Sequence, residues 1–106
     1  MSIPTTLSVL IFQDGDDFVA QCVEHDIASQ GVSPSEALYD FERVLIGHIL
    51  LAVEDRTGFE NIPPAPSEFR EWYNEARPAD WSIPTFTLPD SLPIGYAMPV
   101  QNVRAR

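Results

Sequence analysis

The stretch from Ser33 to Asp55 constrains this chain more than any other. Ser33-Pro34-Ser35-Glu36 is a capping box with proline at the first helical position. Ser33 can accept from the backbone amide of Glu36, and the Glu36 side chain can reach back to the amide of Ser33. Replacing such a cap by alanine costs about 1 kcal/mol. Leu38, Phe41, Leu45, Ile49 and Ala52 then keep helical spacing. This predicts one long helix ending near Glu54 or Asp55, before Thr57-Gly58. Beyond Arg43 the apolar character widens, because Val44, Leu45, Ile46, Ile49, Leu50, Leu51 and Val53 reach round most of the circumference. A helix apolar on all sides must be covered on more than one. One sheet covers one side, so the rest falls to the C-terminal half or to a second copy of the chain.

The sheet that backs this helix precedes it. Thr5 to Gln13 reads as a strand, with Leu7, Val9 and Ile11 on one side and Leu10 and Phe12 on the other. Asp14-Gly15-Asp16-Asp17 is a hairpin turn. Phe18 to Glu24 returns, with Val19 and Val23 opposite Phe18, Ala20 and Cys22. Glu24-His25-Asp26 makes a second tight connection, and Ile27 to Val32 is a third, weaker strand. The expected fold is α+β: a three-stranded antiparallel sheet in the order β-β-β-α, with room for a fourth strand, packed on one long helix. Residues 1–58 form this core.

The second half is irregular. Of ten prolines, all but Pro4 and Pro34 follow position 62. Asn61 to Pro66 is a connector that cannot be helical. Ser67 reads as a second N-cap, and Phe69, Trp72, Tyr73 and Ala76 fall on one face of a short helix over 67–77, ended by Arg77-Pro78. Trp81 to Leu88 and Ile94 to Val100 are extended segments, expected as edge strands or a clasp because proline is excluded from central strands. Asn102 to Arg106 reads as a loose tail. Residues 59–106 thus form a proline-rich extension packed on the core or on a second subunit.

Charge narrows the function. Sixteen Asp and Glu face six cationic residues, all Arg, giving a net charge of −10 and a pI near 4.3. Such a surface repels a phosphate backbone, which excludes direct nucleic-acid binding as the first reading. It either steers encounter with a basic protein or simply keeps a small protein in solution. Cys22 is the only cysteine, so no internal disulfide forms. The start lacks the pattern of a signal peptide and no apolar run spans a bilayer, so a cytoplasmic location is expected, with no membrane contact.

The segment from Phe18 to Gly31, followed by Ser33-Pro34-Ser35-Glu36-Ala37-Leu38, resembles the HicB-type antitoxin domain. That pattern is a strand after an acidic turn, a second strand ending in Gly, and a capped helix opening with Glu-Ala. Phe59 to Pro66 with Phe69 and Trp72 is similar, more loosely, to the tails of short HicB-like proteins. The resemblance implies a degenerate RNase H-like core that binds and blocks a small basic RNA-cleaving toxin. Family members usually carry a C-terminal DNA-binding module. Here the C-terminal half offers only Arg70, Arg77, Arg104 and Arg106 and no basic recognition helix, so the short form of the family is the better match.

Three readings of function follow: an antitoxin-type protein-binding domain, an orphan homo-oligomeric domain with another protein partner, and an enzyme on an RNase H-like core. No convergent set of carboxylates is visible across the strands, which argues against the enzyme, and no Walker loop, Gly-x-Gly-x-x-Gly or Gly-x-Ser-x-Gly motif occurs. No cofactor is expected. Asp14, Asp16 and Asp17 suit a solvated turn better than a cation site. Glu24, His25 and Asp26 point different ways from a tight connection, which suits a hydrogen-bonded loop or a partner contact. Leu45, Ile46, Ile49, Leu50 and Val53 are the candidate self-association residues. Trp72 and Tyr73 are candidate contact residues, with packing onto the first half the stronger alternative. His48 lies in the apolar stripe as a core or interface histidine, and Cys22 as a buried, inert thiol.

Overall fold

The computed structural model describes residues 3–79 and 99–106. Strands β1 (Thr6–Asp14), β2 (Asp17–Cys22) and β3 (Ala28–Gly31) precede the long helix α1 (Pro34–Asp55). The short helix α2 (Ser67–Glu75), the two-residue strand β4 (Arg77–Pro78) and β5 (Val100–Ala105) follow. They build one mixed five-stranded sheet in the order β3-β2-β1-β5-β4.

The hairpin forms where expected, with Asp14 opposite Asp17. Gly15 occupies the first central position of the turn at φ 64, a left-handed value that glycine adopts without steric cost. The strand faces also match their alternation. Leu7, Val9, Ile11, Ala20 and Cys22 point into a core shared with Leu38, Phe41, Leu45 and Ile49 of α1. Leu10 and Val23 point to the other face, where Tyr73, Phe69 and Trp72 of α2 cover them. The sheet is therefore clad on both faces, by α1 over β2 and β3 and by α2 over β1.

β5 is the main departure from the sequence reading. The residues expected as a loose tail pair in parallel with β1, from Thr6 opposite Val100 to Ile11 opposite Ala105. β4 flanks β5 on its far side, so β5 is an interior strand. The sheet has five strands, not three or four. Proline does not prevent this, because Pro99 stands one residue before β5 and no ladder hydrogen bond is lost. The expected segments at Trp81 to Leu88, and Ile94 to Met98 of the second, lie outside the described residues.

Smaller corrections concern the helix ends. Ser33 caps α1 by accepting from the Glu36 amide at 3.2 Å, but the Glu36 carboxylate returns to the amide of Val32, also at 3.2 Å, rather than to Ser33. The C-terminal end of α1 falls at Asp55, as expected; Arg56 caps it at a left-handed φ of 56, its amide bonding the Ala52 and Val53 carbonyls. Ser67 is the first residue of α2 rather than its cap; Pro66 holds that position and supplies no side-chain bond. Among the described residues no helix is long and apolar enough to cross a membrane.

Gly31 marks the tightest junction between sheet and helix. A Cβ there would stand 2.7 Å from the Ala37 backbone nitrogen and 2.8 Å from the Glu36 Cβ. The crowding atoms belong to the first turn of α1, which cannot swing aside as a side-chain tip can. Gly31→Ala should therefore destabilise the fold by about 1–3 kcal/mol in urea unfolding; a variant as stable as the parent would show that β3 and α1 do not meet this closely.

Candidate functional site

Glu24, His25 and Asp26 occupy the connection between β2 and β3. Glu24 is half-buried, and its Oε1 accepts from the Ser8 amide at 2.8 Å. Its Oε2 meets the Arg70 guanidinium at 3.4 Å, tying the connection to α2. Burial pushes this carboxyl up, but the hydrogen bonds from Ser8 and the Arg70 charge outweigh it and hold it below its ordinary range. Asp26 Oδ1 accepts from Gln21 Nε2 at 3.0 Å, and His25 Nδ1 lies 2.9 Å from the Ile62 carbonyl. The three side chains diverge into three separate fold contacts.

The connector 57–66 closes over this loop. The Asp26 amide donates to the Pro63 carbonyl at 2.7 Å, and the Ala65 amide to the Val23 carbonyl at 3.1 Å. Phe59 is the wedge beneath it. It is fully buried, with the His25 ring edge-on at 5.3 Å and the His48 ring at 6.4 Å. His48 is thus a partly buried packing residue on α1. Cys22 lies in the core, where burial pushes its thiol up to about 11, so it is a poor nucleophile.

The helix residues separate into two groups. Leu45 and Ile49 are spent entirely on the core, at 0% and 1% exposure. Ile46, Leu50 and Val53 are half-buried, and Leu51 is 58% exposed. Trp72 and Tyr73 pack onto the second face of the sheet. Tyr73 is buried and donates its hydroxyl to the Asn102 carbonyl at 3.0 Å. Trp72 stands edge-on to Phe12 and Phe69, and the Arg106 guanidinium lies 3.8 Å over its ring. Arg104 similarly covers Tyr73 at 4.6 Å. Two of the few cations are therefore stacked on aromatics rather than free to reach a phosphate.

Sequence reasoning passed over Glu42. It sits on the core side of α1, 8% exposed, and accepts from Gln101 Nε2 of β5 at 2.9 Å. Glu42 Oε2 and Gln101 Oε1 are both buried without a partner. Burial raises the Glu42 carboxyl above its ordinary 4.5, with the Gln101 bond opposing. The signal was present: a glutamate four residues after Leu38 and three before Leu45 interrupts the apolar stripe. Asp40, at the surface, shifts the other way, held down by hydrogen bonds from Ser29 and Arg43. Among the described residues no group of three or more His, Cys, Asp and Glu stands close enough to hold a metal ion.

No protein-family model, curated protein or solved structure matches this chain. The class is set by the architecture alone: an α+β protein with a mixed five-stranded sheet, one long helix and a short second helix.

Two outcomes follow from this geometry. Phe59→Ala should cost about 3–5 kcal/mol, since the loop, the connector and α1 all rest on that ring; a loss below ~1 kcal/mol would place the ring outside the core. Because the folded state holds the Glu42 proton more tightly than the unfolded chain, stability should fall as pH rises above 4.5. Glu42→Gln should flatten that part of the profile in thermal unfolding. An identical pH profile in parent and variant would mean that the carboxyl is not buried as described.

Proposed function

We propose that this chain is a HicB-like, antitoxin-type domain that binds and neutralises a small basic RNA-cleaving protein in the cytoplasm. The observation that carries the reading is the uncompensated acidity of its surface. The chain has a net charge of −10, and among the described residues only Asp40 and Glu24 have ion-pair partners. Exposed carboxylates at Asp14, Asp16, Glu36, Glu54, Asp55, Glu68, Glu71 and Glu75 remain available to a cationic partner. Charge of this kind accelerates encounter and rejects like-charged competitors more than it tightens the final complex.

The architecture is consistent with the degenerate RNase H-like core that the resemblance implies. Three antiparallel strands lead into a long helix, and a later strand returns parallel to β1. The side chains of Glu24, His25 and Asp26 already serve the fold, which favours a binding role for the surface over catalysis in that loop. A second reading, an orphan domain that acts as a homo-oligomer with a different protein partner, is favoured by the apolar residues left on the outside of α1.

Co-expression with the product of an adjacent short reading frame encoding a basic RNA-cleaving protein tests the proposal. A co-purifying complex that no longer cleaves RNA, and that weakens as salt rises, is the expected result. Two proteins that elute separately, with RNA cleavage undiminished, would count against it and leave the homo-oligomeric domain as the reading.

A further inference from the structure

Gly47 is an oddity that the described residues do not explain. It lies in the middle of the 22-residue helix α1, where glycine costs about 1 kcal/mol relative to alanine. A glycine in such a place lets another chain approach the helix backbone closely. Apart from its chain neighbours and the α1 backbone around it, no heavy atom of the described residues lies within 4 Å of where a Cβ would stand. Among the described residues the notch at Gly47 is therefore open.

The surroundings of Gly47 indicate what approaches. Arg43, Gly47, Leu50 and Glu54 are spaced four, three and four residues apart, the seam along which one helix meets another. They lie opposite Leu38, Phe41, Leu45 and Ile49, the stripe that α1 gives to its own core. Ile46 and Leu51 flank the seam, the latter largely exposed.

We propose that the outer face of α1 pairs antiparallel with α1 of a second copy, crossing at Gly47. The argument for a second copy is self-complementarity. In a two-fold dimer, residue i meets j and j meets i. Set two α1 helices antiparallel about an axis level with the midpoint between His48 and Ile49. Leu50 of each copy then falls opposite Gly47 of the other and Arg43 opposite Glu54, while Ile46 and Leu51, on opposite flanks of the seam, each lie on the side of their own counterpart. One axis satisfies both pairs and matches the flanks: a leucine knob faces a glycine notch, cation faces anion, and each apolar flank meets the same apolar flank. A chain with six cationic residues among sixteen acids places one of them where the two-fold brings an acid to it. Arg43 also holds Asp40 at 2.6 Å, which leaves other guanidinium N–H groups to donate across the interface. The inference rests on the self-association reading and not on the identity of any other partner.

Sedimentation equilibrium on the full chain tests it. The parent should be a dimer at micromolar concentration. Gly47→Ala and Gly47→Leu should weaken the dimer by about tenfold or more, although alanine improves the helix itself and both variants should keep parental circular dichroism. Arg43→Glu should also weaken it, and the double variant Arg43→Glu/Glu54→Arg should restore it, because the swap rebuilds the pair across the axis. A parent that stays monomeric at hundreds of micromolar would overturn self-association altogether. A dimer of unchanged strength in the Gly47 variants, with no rescue by the charge swap, would overturn this surface alone and leave self-association standing.

Discussion

α1 has more apolar surface than one face of a sheet can take, and the rest of the structure is arranged around that excess. Its inner stripe rests on β1, β2 and β3 and forms the main core. Its C-terminal half receives a second cover from Phe59 and Ile62 of the connector. The connector in turn is fixed by backbone bonds to Val23 and Asp26. The β2–β3 loop, the connector and the end of the helix therefore form one interlocked unit, with Phe59 at its centre. This explains why Glu24, His25 and Asp26, which look chemically versatile in the sequence, are committed to holding backbone and side-chain partners in place.

The sheet owes its width to β5. By pairing in parallel with β1, this strand turns β1 from an edge into the middle of the sheet. It also brings Gln101 under α1 on one face, while Arg104 reaches Tyr73 on the other. The price is the Glu42–Gln101 contact, a buried polar pair with two oxygens left unpartnered. A protonated Glu42 reduces that cost, because a carboxylic acid can donate where a carboxylate can only accept. The charge state of one side chain is thereby coupled to how firmly the last strand is held.

Much of this was legible from residue order. The capping box, the core stripe of α1, the hairpin at Gly15 and the two faces of β1 follow from local spacing, because each is decided within a few residues. So is the packing of Phe69, Trp72 and Tyr73. β5 was not legible. Gln101 to Ala105 is polar and short, and its strand state depends on pairing with Leu7 to Ile11 at the opposite end of the chain. Local pattern carries no information about such a partner. The return of Glu36 to Val32 rather than Ser33, and the cap at Pro66, turn on details of backbone direction that composition does not encode. On the outer face of α1 the sequence showed the excess apolar surface but not its seam. The open space beside Gly47 is visible only in the structure.

The central proposal is that the surplus face of α1 is filled by the same face of another copy. The most direct measurement is isotope-filtered NMR on a mixture of labelled and unlabelled chains, which reports only contacts between copies. The account predicts intermolecular contacts from the Leu50 methyl groups to the Gly47 α-protons. Intermolecular contacts confined to other elements, with Leu50 and Gly47 silent, would contradict it.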